Sequence, residues 1–204
     1  MQPFPGKSVI GLTGGIACGK STALQMFARC GWEAISTDQL AGEILADDKK
    51  VSDLLRERWG ESVVDKQGNI DKSEIAEIIF STNHEKIWLE SVLHPLVRTA
   101  WHHSIENSDR SLFVVEVPLL FENDLQSHFA HTISIFASHE IQVERLLARG
   151  LSPEQAQSRI DAQFTSERKA VLADFVLLSC GSEEFLEQQV HFFLKSFKSK
   201  QPES

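Results

Sequence analysis

Cysteine is scarce: Cys18, Cys30 and Cys180 are the only three in 204 residues, too few and too scattered for a disulfide framework or a zinc site. That scarcity fits a reducing, intracellular setting. Positive charge is also short. Twenty Lys and Arg against twenty-nine Asp and Glu give a net charge of −9, which opposes a broad, sequence-independent grip on nucleic acid. Any anionic ligand must therefore meet locally gathered positive groups. Long apolar runs are missing too: the longest, "LFVVEVPLLF", is broken by Glu116 and Pro118. The amino end "MQPFPGKS" lacks the charged-then-apolar order of a secretion signal. A soluble, cytoplasmic chain is expected, with no membrane, nucleic-acid or protein partner implied. Internal repeats and low-complexity segments are absent. With 42% hydrophobic and 24% charged residues, the composition is that of an ordinary globular protein, large enough for one α/β domain carrying a lobe or insertion.

What is present is an alternation of short apolar runs and helical periodicity. Residues 8–12, "EAIST" at 33–37, "SLFVVEV" at 111–117, "HTISIFA" at 131–137 and "DFVLL" at 174–178 suit buried strands. Helical patterns lie between them, so five strands in a parallel sheet are predicted. From about residue 47 to 109 the apolar residues recur at three and four spacing without a convincing strand, which predicts an inserted helical lobe. Asp71 followed by Glu74 resembles a capping box at the start of one of its helices, and His94-Pro95 is expected to break the last. Residues 138–172 read as a helical, arginine-rich lid, and the closing amphipathic helix ends in a frayed "QPES". The expected organisation is a single domain: core 7–46, 110–137 and 173–198, lobe 47–109 and lid 138–172.

The chemistry is concentrated in "VIGLTGGIACGKST". Gly14-x-x-x-x-Gly19-Lys20-Ser21 satisfies the phosphate-binding loop pattern, directly after a predicted strand and before a predicted helix. Glycines let the backbone turn so that N–H groups of Gly14, Gly15, Ile16, Ala17, Cys18 and Gly19 face phosphate oxygens, and the helix amino end adds partial positive charge. Lys20 would reach the β and γ phosphates, Ser21 would ligate magnesium, and Thr22 would bond a phosphate farther in. Cys18 is either a thiol of lowered pKa beside a helix end or a small residue tolerated in the loop.

The loop indicates nucleotide binding without choosing the reaction. No Asn-Lys-x-Asp base-reading motif marks a guanine-nucleotide switch, and the chain is short for a motor or transporter ATPase. A small kinase remains. Asp38, just past the second strand, is either a base for an acceptor hydroxyl or an ordinary helix cap. Glu116 ends the third strand, where a carboxylate can hold magnesium directly or through water. His94 is either a substrate-facing or a satisfied buried histidine. Arg145, Arg149, Arg159 and Arg168 are candidate phosphate clamps, of which one or two are expected to act.

Taken together, "IGLTGGIACGKST", "AISTDQLA", "LESVLHPLV", "VVEVPLLFEN" and "ERLLARGLSPEQAQSRIDAQ" resemble the dephospho-CoA kinase family over nearly the whole chain. The resemblance implies a P-loop kinase fold with a five-stranded parallel sheet flanked by helices, a helical substrate lobe and a helical lid. It implies ATP and magnesium on the loop, and dephospho-CoA as the acceptor phosphorylated at its ribose 3′-hydroxyl. Asp38 becomes the base, and Lys20 with Arg149 first and Arg145 second would spread charge on the transferring group. His94, Glu116 and the segment through Pro118 and Leu119 to Phe121 would shape the acceptor pocket. A lid that closes only over both substrates predicts slow ATP hydrolysis without acceptor. Three positions depart from the family pattern: Ser36 stands where a first Asp is usual, Ser179 where Asn is usual near the adenine, and Gly42 where Arg often follows the aspartate. The alternatives are a kinase of another nucleotide-like acceptor and a nucleotide-binding protein without transfer activity.

Overall fold

The computed structural model describes residues 4–198. In chain order its elements are β1 (Ser8–Gly14), α1 (Lys20–Arg29), β2 (Glu33–Ser36), α2 (Thr37–Asp47), α3 (Lys49–Trp59), α4 (Lys72–Ser81) and α5 (Asn83–Asn107). There follow β3 (Leu112–Glu116), β4 (His131–Phe136), α6 (His139–Ala148), α7 (Pro153–Asp161), α8 (Ser166–Leu172), β5 (Phe175–Leu178) and α9 (Glu183–Lys198). Short 3₁₀ turns occupy Gly60–Val63 and Leu125–His128. The tail "QPES" lies outside the described residues.

The chain forms two compact units, one made by residues up to Ser36 and from Ser108 onward, the other by Thr37–Asn107. In the first, all five strands are parallel in the order β2-β3-β1-β4-β5. β1 is central because its run is apolar on both faces, the pattern of a strand covered by helices on either side. Ile10 and Leu12 join Phe27 of α1, Leu186, Val190 and Phe193 of α9 in one core cluster. Gly11 serves the opposite face, where a Cβ would come within 2.7 Å of Leu120 and Phe129. Strand order reverses on either side of β1, so the chain leaving β1 emerges at the crevice where open parallel sheets bind ligands.

The second unit is helical and carries its own apolar cluster, with Val51, Leu55, Val63, Ile70, Ile75, Leu89 and Leu93 buried. It starts at Thr37, ten residues earlier than the sequence pattern places the lobe, because α2 packs against α5 inside this unit. Among the described residues its extended pairing is an isolated antiparallel bridge, Val64 with Ile70, closed by Asp65 accepting from the amides of Gln67 and Asn69.

Two local expectations are corrected here. Pro95 does not break the helix: α5 runs unbroken for 25 residues with Pro95 inside it. A proline removes one ladder bond, and the buried Leu89, Leu93 and Val97 on either side hold the helix through that loss. Asp71 caps α4 through Ser73 and Glu74 amides, but the reciprocal half of the capping box is replaced, since the Asp71 amide donates to the Val63 carbonyl at 2.9 Å. Residues 138–172, the expected lid, lie within the first unit as three helices, α6, α7 and α8, the second opened by a full capping box from Ser152 and Gln155.

Candidate active site

β1 ends on Gly14, whose φ is +147°; a Cβ there would lie 2.3 Å from the Ile135 carbonyl oxygen of β4. Only glycine fits that approach. At Gly15 a Cβ would meet Gln142 Nε2 at 2.4 Å, and at Gly19, with φ +87°, it would meet Ser179 Oγ at 2.9 Å. The loop is thus pressed between α6 and the end of β5, and its glycines are fixed by contact as well as by backbone angle.

α1 begins after Gly19, which caps it without any side-chain hydrogen bond, and there is no acidic residue in its first turn. No side chain of the protein caps this amino end, and the helix dipole adds positive potential there, an arrangement that suits an anion. Lys20 stands in the same turn and donates to the Gly15 carbonyl at 3.0 Å.

α6 grips the loop from outside. Gln142 Nε2 donates to the Ile16 carbonyl at 2.7 Å and Arg145 to the Ala17 carbonyl at 3.0 Å. Ala17 is one of two described non-glycine residues at positive φ, +59°, a conformation that costs roughly 1–2 kcal/mol for an L side chain and must be held by its surroundings. Arg145 supplies that hold and also donates to Ser179 through its hydroxyl at 3.1 Å and its carbonyl at 2.7 Å. Arg145 thus braces the loop against the end of β5. Arg149, the exposed C-cap of α6, lines a hollow of about 160 Å³ with Arg145, Ala17, Gly19, Thr22 and Ser179.

At the end of β3, Glu116 is buried with 4% exposure and accepts from Ser21 Oγ at 3.4 Å. It is in register with Leu12 of β1 and Ser36 of β2. Two oxygen ligands of this kind suit magnesium, a hard cation that usually takes one or two carboxylates and completes its shell with water and phosphate oxygens. Among the described residues no group of three or more His, Cys, Asp or Glu could hold a metal ion. The next turn is fixed by its backbone: the Pro118 carbonyl accepts from Thr13 Oγ1 at 3.2 Å, while Pro118 and Leu119 are half-buried.

Asp38 and His94 belong to the helical unit. Asp38 is exposed in the first turn of α2, one residue past the helix start, so it is not the cap residue itself. His94 is exposed on α5, which removes the reading of a satisfied buried histidine. The Gly42 carbonyl accepts from Lys72 Nζ at 2.8 Å, so a cation from α4 reaches the backbone where residue 42 has no side chain. Arg168 stacks on Phe164, 3.4 Å from the ring centroid, and Arg159 is exposed on α7. Cys18 is fully buried with its sulfur 3.4 Å from Ser166 Oγ, the position of a small packed residue.

Four residues matter here that sequence reading did not single out: Gln142, Glu122, Ser166 and Lys169. Lys169 is wholly buried, pairing with Glu122 at 3.0 Å and donating to the Pro118 carbonyl at 2.6 Å. A helical lysine is normally read as solvated, and only the small residues around it, Ser166, Ala170 and Ala173, hinted at a packed face.

The CoaE family model, described as dephospho-CoA kinase, matches residues 8–184. A dephospho-CoA kinase of Bacillus licheniformis is 34% identical over 195 residues, covering 94% of this chain and 97% of its own. Among solved structures, TT1252 from Thermus thermophilus superposes with a TM-score of 0.78 at 33% identity, covering 93% of this chain and 97% of its own. Dephospho-CoA kinase from Campylobacter jejuni gives a TM-score of 0.71 at 28% identity, covering 96% of this chain and all of its own.

Proposed function

The chain belongs to the dephospho-CoA kinase family, and on that premise we propose that Gly14–Thr22, Glu116, Asp38 and the arginines of α6 carry its reaction. That reaction is the ATP-dependent phosphorylation of the ribose 3′-hydroxyl of dephospho-CoA, giving CoA and ADP in the last step of coenzyme A synthesis. The observation that carries the site assignment is the start of α1, which no side chain caps and no acid flanks, with Lys20 in its first turn and Ser21 bonded to the buried Glu116.

In the proposed mechanism, the loop amides and Lys20 bind the triphosphate, and charge is spread by groups already in place. The ribose 3′-oxygen forms a bond to the γ-phosphorus while the bond from that phosphorus to the β–γ bridging oxygen breaks. The hydroxyl proton passes to the Asp38 carboxylate, and ADP leaves. Magnesium, held through Ser21 and Glu116, would neutralise charge on the phosphate oxygens. Arg149 is the proposed mobile clamp, whereas Arg145, spent on Ala17 and Ser179, supports the nucleotide hollow. His94, Pro118 and Leu119 are proposed to contact the acceptor. Ser179 keeps the hollow formed without the amide that the family usually places there, so adenine contacts fall to backbone groups. Residues 138–172 are proposed as the lid and the enzyme as a cytoplasmic one. Among the described residues no helix is long and apolar enough to cross a membrane.

An acceptor panel tests the assignment. Dephospho-CoA, with its pantetheine arm, should support ADP release at least tenfold faster than adenosine, AMP or shikimate, a difference of about 1.4 kcal/mol in transition-state binding. Equal rates with a nucleoside monophosphate would move the acceptor assignment to that class.

A further inference from the structure

Lys169 is fully buried, yet the reaction as proposed has no use for it. Its ammonium donates to the Pro118 carbonyl at 2.6 Å and to Gln163 Oε1 at 3.0 Å, pairs with Glu122 Oε1 at 3.0 Å, and lies 3.5 Å from the Gly14 carbonyl. An ammonium has three donors, and the three short contacts use them, so Lys169 has none left for a phosphate. Burial pushes its pKa down, Glu122 pulls it back up, and the nearby Lys20 ammonium again pushes it down.

An ion pair alone is a weak reason for such burial, because a well-packed apolar pair at the same site is often at least as stable. What the ammonium adds is direction. It joins three segments: the last residue of β1, where the phosphate loop begins; the turn at Pro118, two residues after Glu116; and the α7–α8 connection. The surrounding bonds repeat the pattern. The Pro118 carbonyl is shared with Thr13 Oγ1, Glu122 Oε1 also accepts from the Phe164 amide at 2.8 Å, and Ser166 Oγ touches both Cys18 Sγ and the Ala137 amide at 3.4 Å. α8 is therefore tied to the phosphate loop and to the exit of β3 at once.

We propose that Lys169 is a positioning residue for phosphoryl transfer, setting the exits of β1 and β3 so that the phosphate loop and the turn from Glu116 to Phe121 keep the spacing transfer needs. The inference rests on the kinase reading of Gly14–Thr22 and deepens it. Transfer is sensitive to a misplacement of about 1 Å, which can cost on the order of 10²-fold, whereas each substrate bound on its own side tolerates that shift.

The test compares wild type with Glu122→Gln, with the double variant Lys169→Met/Glu122→Gln, and with Thr13→Val. The double variant leaves no buried unpaired carboxylate, and the glutamine keeps an oxygen for the Phe164 amide. Thermal unfolding, calorimetric binding of a non-hydrolysable ATP analogue, and steady-state kinetics in both substrates are measured, with rates counted per analogue-binding site. In the double variant kcat should fall about 30- to 100-fold while both KM values and the analogue affinity stay within about threefold of wild type. Glu122→Gln takes the counter-charge from the buried Lys169 and should lower the unfolding midpoint, but it leaves the Lys169 bonds to Pro118 and Gln163, so kcat per analogue-binding site should stay within about threefold. Thr13→Val, which removes only the second donor to Pro118, should lower kcat about three- to tenfold, and it decides the matter if the double variant does not fold. A double variant with wild-type kcat per site, a loss confined to KM, or in its absence a Thr13→Val enzyme with unchanged kcat would overturn the proposal. Wild type that turns over ATP without regard to dephospho-CoA would instead refute the kinase reading itself.

Discussion

At the scale of single residues, the phosphate loop is held by contacts that leave little room. Gly14→Ala places a Cβ 2.3 Å from a backbone oxygen at a positive φ, so strand β4 or the loop must shift. A loss of roughly 2–4 kcal/mol in stability is expected from such a substitution, read by urea unfolding. Arg145→Ala removes donors to Ala17 and Ser179 and frees the strained Ala17; ATP-analogue affinity should fall about tenfold or more by calorimetry. Lys169→Met alone strands the Glu122 carboxylate, of which Oε2 is already buried without a hydrogen bond, and should cost about 3–5 kcal/mol. The loop was legible in the sequence because its chemistry is local: glycines, lysine and hydroxyl sit at fixed offsets after an apolar run. Lys169 was not, because its four partners come from residues 14, 118, 122 and 163, and no spacing rule connects them.

At the scale of elements, the five strands followed from periodicity, with ends displaced by one or two residues, whereas the stretch 138–172, read as helical without internal bounds, is three separate helices. The misreading of α5 came from treating Pro95 as a stop when the helix packs on both sides of it. Since Pro95 is exposed and inside an unbroken helix, Pro95→Ala should restore one backbone hydrogen bond and stabilise the protein by about 1–3 kcal/mol, seen as a raised unfolding midpoint. A lowered midpoint would mean that the helix depends on the bend a proline imposes. The start of the helical unit was misplaced for a related reason: α2 follows β2 directly in the chain, and its packing on α5 and α3 assigns it to the other unit.

α3 and α5 are joined by Glu85, which accepts from Arg58 at 2.7 and 3.0 Å and from Trp59 Nε1 at 2.8 Å. The Arg58 bonds first, and the Trp59 bond next, hold its carboxyl down at about 2, well below the ordinary glutamate value of 4.5. Because the folded value is depressed, the contribution of Glu85 is complete above pH 4.5, shrinks as pH falls below it, and is lost below about 2. The stability gap between wild type and Glu85→Gln should therefore narrow as pH falls from about 5, by urea unfolding at each pH; above that, protonation of His84, 3.6 Å from Glu85, adds to the gap. A gap that keeps growing below pH 5 would show that Arg58 is not what holds the carboxylate.

For the whole molecule, the sequence conveyed the fold class and the family because the telling motifs, "HPLV" and "PLLFE" among them, are long and specific. It conveyed less about how those motifs are supported: Gln142, Glu122, Ser166 and Lys169 act through tertiary contacts alone. The acceptor role proposed for Asp38 is supported by its place after β2 in the sequence and by its exposure at the start of α2. If closure of the lid depends on both substrates, ATP hydrolysis without acceptor should be slow, on the order of a hundredth of the transfer rate or less. The most direct test of the account is ADP release from magnesium ATP, with and without dephospho-CoA, by wild type and by Asp38→Asn. The account predicts turnover that requires the acceptor and falls about 10²- to 10⁴-fold in Asp38→Asn, with ATP-analogue binding retained. Turnover indifferent to dephospho-CoA, or an Asp38→Asn enzyme as fast as wild type, would contradict it.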